Sequence, residues 1–90
     1  MCAVLANLHA SDEIHAFLID LTTPAELRAL AERWKIAQLL HSGGHSYREI
    51  AAIAGASTTT VARVARFLQH EPHGGYRLAL DKAAISKVVG

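Results

Sequence analysis

The chain has one cysteine, two prolines, few aromatic residues and almost no net charge, and each scarcity narrows what it does. Cys2 has no partner for an internal disulfide, so the fold relies on packing, and a reducing, cytoplasmic setting is expected. No apolar run approaches membrane-spanning length, so no membrane association is expected. Residues 1–8 lack a basic start and are too short for a secretory signal. No segment shows sustained period-two alternation, and there is no repeat or low-complexity tract, so the chain reads as all-α. A glycine loop able to cradle phosphate is missing. Cys2 has no neighbouring base to activate it, and Asp12, Glu13, Glu26 and Glu49 stand at helix starts. Catalysis is therefore not expected, and neither is a cofactor. His41 and His45 are split by Gly43 and Gly44, and His70 and His73 by Pro72. With no cysteine or carboxylate at ligand spacing, no metal site is expected.

Apolar residues are plentiful instead. They make up 51% of 90 residues, against 19% charged. A domain this small buries a modest share of its surface by itself, so a second copy of the chain is the simplest cover for the excess. The net charge of +1 neither favours nor excludes nucleic acid, because a DNA-binding domain needs a local basic patch rather than a basic average.

Residues 1–10 carry no helix-start signal and are expected to be frayed. Ser11 is expected to cap a helix with Asp12 and Glu13 at its positive end and a buried stripe of Ile14, Phe17, Leu18 and Leu21. Thr22 and Thr23 interrupt it. Thr23-Pro24-Ala25-Glu26 is a capping box with proline at the first helical position. The helix it opens is expected to reach about His41. Its two apolar stripes are Leu27, Leu30, Trp34 and Ala37, and Ile36, Leu39 and Leu40. So wide an apolar surface is buried from two directions, and a partner subunit supplies one of them. The expected dimer interface is Leu27, Leu30, Trp34, Ile36, Leu39 and Leu40. A final apolar segment with Tyr76, Leu78, Leu80, Ile85, Val88 and Val89 is expected to be helical from about Leu78, in a register the sequence leaves open. Residues 1–90 are read as one small helical domain.

The most informative stretch is residues 47–66, YREIAAIAGASTTTVARVAR. Ser46 and Glu49 form a second capping box. Ile50, Ala51, Ala54, Gly55, Ala56, Val61 and Val64 are the apolar and small framework of a helix-turn-helix. Gly55 permits the left-handed backbone of a tight turn. Ser57 caps a second helix expected to reach Leu68 or Gln69. Val61 and Val64 face inward together, which leaves Thr58, Thr59, Ala62, Arg63 and Arg66 outside. Hydroxyls and free N–H groups at a helix start suit phosphates and base edges. Arg63, Arg66 and Arg48 add positive charge, with no acid in the stretch beyond the capping Glu49. The pattern points to a transcriptional regulator that holds double-stranded DNA. The competing reading is a protein-interaction module that reuses the helix pair for a partner helix. That reading calls for an exposed apolar groove where this sequence offers threonine and arginine.

Over residues 20–82 the chain resembles the Trp repressor superfamily, and more closely its YerC/YecD-like branch. The resemblance is carried by LTTPAELRALAERWKIAQLL, SYREIAAIAGASTTTVARV and GGYRLALDK. It implies an intertwined all-helical homodimer that reads a two-half-site operator with the helix Thr58–Gln69, most simply as a repressor. The positions that match family DNA contacts are Arg48, Ser57, Thr58, Thr59, Ala62 and Arg66. Family pocket positions for the corepressor tryptophan are matched by Thr23, Arg33, Thr60 and Arg63. Val64 and Phe67 stand where the family has a glycine and a serine, and their bulk is expected to fill the indole space. The implied regulator therefore does not use L-tryptophan as corepressor, and the identity of any small-molecule effector stays open.

Overall fold

Capping chemistry sets most of the helix boundaries. The computed structural model describes the backbone of residues 1–89 and the side chains of residues 1–84. The described residues form α1 (Cys2–Ala6), α2 (Ser11–Leu21), α3 (Pro24–Ser42), α4 (Tyr47–Ala54), α5 (Thr58–Gln69) and α6 (Gly75–Val89), with no strand among them. The chain divides into two units, Met1–Leu30 and Ala31–Gly90.

In the first unit, a five-residue helix, α1, occupies the stretch expected to be frayed. Ser11 is not the cap of α2. Ala10 holds that position in extended backbone, and the Glu13 carboxylate accepts its N–H at 3.3 Å, the acid's half of a capping box with no cap hydroxyl opposite it. Ile14, Phe17 and Leu18 are half-buried as the stripe predicts, but Leu21, at the last position of α2, is 50% exposed. Neither α1 nor α2 has a fully buried residue. The Thr22 hydroxyl donates to the Leu18 carbonyl at 2.7 Å and closes α2. The Thr23–Glu26 box then opens α3: the Glu26 carboxylate accepts Thr23 N–H at 2.8 Å, and the Thr23 hydroxyl accepts Glu26 N–H at 3.2 Å.

The second unit holds the core. Ile36 and Ala37 of α3, Ile50 and Ala51 of α4, and Val61 and Val64 of α5 are buried together. Trp34, Leu39, Leu40, Ala54, Ala56 and Tyr76 pack around them half-buried. Ile36, assigned from the stripes to the dimer interface, is fully buried within its own chain and is unavailable to a partner. The periodicity identified it as buried but assigned it the wrong neighbours. Of the other expected interface residues, Leu27, Trp34, Leu39 and Leu40 are half-buried and Leu30 is 45% exposed.

Helix α6 starts at Gly75, three residues before the expected Leu78. Leu80 is its buried residue among the described side chains, and Leu78 is exposed. Ile85, Val88 and Val89 of the expected apolar segment lie outside the described side chains. No described helix is long and apolar enough to cross a membrane.

Candidate nucleic-acid interface

Two caps and a left-handed residue build the helix-turn-helix. At the start of α4 the Glu49 carboxylate accepts Ser46 N–H at 2.8 Å, and the Ser46 hydroxyl accepts Glu49 N–H at 3.1 Å. The Ser46 backbone N–H, and after it the Ser46 side chain, hold the Glu49 carboxyl below the usual carboxylate range, and the nearby His45 adds a smaller push in the same direction. Gly55 ends α4 at φ 71°, ψ 31°. The chain can then reverse so that Ala56 N–H reaches the Ala51 carbonyl at 3.0 Å. Ser57 caps α5 by accepting Thr60 N–H at 3.1 Å, and its hydroxyl also meets that of Thr60 at 3.0 Å.

Helix α5 is sharply two-sided. Val61, Val64, Ala65 and Leu68 are buried, and α5 packs on α4 and α6. Ser57, Thr58, Thr59, Ala62, Arg63 and Arg66 are exposed, as is Arg48 on α4. All seven residues expected to meet DNA are thus exposed in the second unit. Thr58 and Thr59 occupy the first turn, where backbone N–H groups have no intrahelical partner.

The two arginines of α5 are drawn together by a residue the sequence assigned elsewhere. The guanidinium carbon of Arg63 lies 4.5 Å from the Phe67 ring centroid and that of Arg66 5.4 Å. His73 stacks on the same ring, with centroids 5.9 Å apart and planes 20° apart. Arg66 Nε also meets Glu71 Oε1 at 3.7 Å, the one ion pair among the described residues. Neither His73 nor Glu71 was expected here. Both follow the end of α5, outside any helical periodicity, in a stretch where Pro72, Gly74 and Gly75 signal only a break in the chain.

Six residues were expected to line a ligand pocket: Thr23, Arg33, Thr60, Arg63, Val64 and Phe67. Thr23 belongs to the first unit, where its hydroxyl caps α3, whereas Arg33, Thr60, Arg63, Val64 and Phe67 belong to the second. Val64 is only 1% exposed, so it is a core side chain rather than a pocket wall. Phe67 is half-buried under the two guanidiniums, and Arg33 is half-buried on α3. Among the described residues no three His, Cys, Asp or Glu side chains converge as a metal site would need.

Comparison with known proteins agrees with this geometry. The family model described as Trp repressor protein matches residues 1–84. The uncharacterised YerC protein of Bacillus subtilis (strain 168) is 36% identical over 78 residues, covering 87% of this chain and 73% of its own length. The crystal structure of a candidate Trp repressor from Staphylococcus aureus superposes with a TM-score of 0.82 at 32% identity, covering 92% of this chain and 81% of that one. A TrpR-like protein from Eubacterium eligens ATCC 27750 superposes with a TM-score of 0.80 at 33% identity, covering 91% and 81%.

Proposed function

The chain belongs to the Trp repressor family, and on that footing we propose that it is a sequence-specific DNA-binding transcriptional regulator, most simply a repressor. It works in the cytoplasm as a homodimer and reads two half-sites with α5. The observation that carries this reading is the exposed face of α5, where Ser57, Thr58, Thr59, Ala62, Arg63 and Arg66 stand clear of the core. Hydroxyls and N–H groups at its start suit phosphate oxygens and base edges, and the arginines suit phosphate. Arg48 adds a third cation from α4.

Dimerisation accounts for the apolar surface that remains uncovered in a single chain. Ile19, Leu21 and Leu30 are each about half exposed, at 52%, 50% and 45%. A dimer with a two-fold axis then sets two copies of α5 about one helical turn of DNA apart. Residues 1–90 act as one functional domain in this assembly.

We assign no catalytic role and no resident cofactor, and L-tryptophan is not the corepressor. Val64 is a packed core residue and Phe67 carries two guanidiniums, so neither leaves room for an indole beside Arg63. Genome-wide recovery of DNA cross-linked to the protein tests the proposal. Recurrent inverted half-sites are the expected outcome. Absence of any enriched sequence would overturn it and favour the interaction-module reading.

A further inference from the structure

Arg63 and Arg66 share one ring, and the chemistry of that contact has a use. Arg63 and Phe67 are four residues apart on α5, the spacing at which side chains of a helix meet. Arg66 reaches the ring from the neighbouring position. The ring itself is restrained. It is half-buried, His73 stacks on it, and with His73, Gly75 and Tyr76 it lines a cleft whose Tyr76 wall packs on the core. A guanidinium lying over an aromatic face is attracted through its flat side, so its N–H donors stay free around the edge. Glu71 takes Arg66 at Nε, which leaves the terminal nitrogens free.

We propose that Phe67 is a positioning residue for DNA binding: its ring holds Arg63 and Arg66 as a pre-ordered pair of phosphate donors. This rests on the reading of α5 as the DNA-facing helix. A free arginine loses rotamer freedom when it docks on phosphate, and that loss weakens binding. A side chain already restrained on a ring loses less. The number of phosphates neutralised is the same either way. Removing the ring therefore weakens affinity without altering salt dependence, whereas removing an arginine changes both.

The test uses the full chain and a mixed-sequence DNA duplex, followed by fluorescence anisotropy across a salt series. Phe67→Leu is expected to weaken binding roughly three- to tenfold at every salt concentration, along a line parallel to that of the unmodified protein. Phe67→Tyr, which keeps the ring, should restore binding. Coincident lines for the leucine variant and the unmodified protein would overturn the proposal, as would a tyrosine variant as weak as leucine or a reduced salt slope. Side-chain NMR gives an answer that needs neither DNA nor a stable variant. In the unmodified protein the Hδ protons of Arg63 and Arg66 should be shifted upfield by the ring current, and their absence from that region overturns the pairing. An unmodified protein that binds no duplex would overturn the DNA reading and this inference together. Normal binding with coincident lines would overturn the inference alone.

Discussion

Replacing Gly55 by alanine isolates the backbone cost of the helix-turn-helix from every other contribution. Gly55 sits at φ 71°, ψ 31°, and a Cβ added there meets nothing within 4 Å. No neighbour has to move, so the cost is the left-handed conformation itself, roughly 1–2 kcal/mol for an L-residue. Alanine also restricts the unfolded chain, which offsets about 0.4–1 kcal/mol. The net destabilisation expected for Gly55→Ala is thus about 1 kcal/mol, which lowers the melting temperature by roughly 4–8 °C in a domain of this size. Asparagine tolerates this region better, so Gly55→Asn should lie between alanine and the unmodified protein. Gly55→Val, β-branched, should be worst. Thermal melts followed by circular dichroism, at one protein concentration because a dimer melts in a concentration-dependent way, measure the series. DNA affinity well below the transition should be unchanged for alanine, since Gly55 contributes no side chain to the face. A neutral alanine variant, or an asparagine no better than alanine, would refute the argument that backbone conformation alone explains the glycine.

Other expectations follow from the same geometry. Arg48→Ala should reduce the salt slope of DNA binding by about one, as loss of a single phosphate contact does, and an unchanged slope would remove Arg48 from the interface. Glu49 is held ionised by Ser46 N–H, so its folded pKa lies below its unfolded one. Its contribution is complete above the ordinary carboxylate value and is lost as pH falls through the lowered one. Glu49→Gln keeps the capping hydrogen bond but cannot titrate, so its melting temperature should fall less steeply on acidification, and parallel curves would contradict this. Calorimetry should find no saturable L-tryptophan binding at micromolar concentrations, and binding coupled to tighter DNA association would restore the corepressor model. Light scattering should give twice the chain mass at micromolar concentration, and a stable folded monomer would dismiss the homodimer.

Features encoded by contacts three to five residues apart were legible in the sequence. The Thr23–Glu26 and Ser46–Glu49 boxes, the Gly55 turn and the Ser57 cap are of that kind, and the hydrogen bonds form as the spacing requires. So was the division of α5 into inward valines and outward threonines and arginines. Ser11 misled because the helix starts one residue earlier, on Ala10, whose N–H goes to the Glu13 carboxylate. Ile36 misled because a stripe on a helix says that a residue is covered, not whether its own chain or a neighbour covers it. The arrival of Glu71 at Arg66 and of His73 at Phe67 was invisible for a different reason. Arg63 and Phe67 keep helical spacing on α5, but Glu71 and His73 join them from the turn between α5 and α6, where no repeating spacing links the residues.

The two sides of α5 share no position, and this bears on how such a helix can change its target. Val61, Val64, Ala65 and Leu68 hold the helix in place, whereas Thr58, Thr59 and Ala62 touch none of that duty. Exposed substitutions of this kind ordinarily shift stability by within about ±0.5 kcal/mol. On the proposed reading of α5 as the DNA-facing helix, specificity would drift, or be redesigned, one exposed letter at a time, while the scaffold stays at the same height above its unfolding threshold. Phe67 limits that freedom, because it is joined both to the cationic pair and to the cleft beside Tyr76. Retargeting would move through the first two turns of α5 and stop at its last.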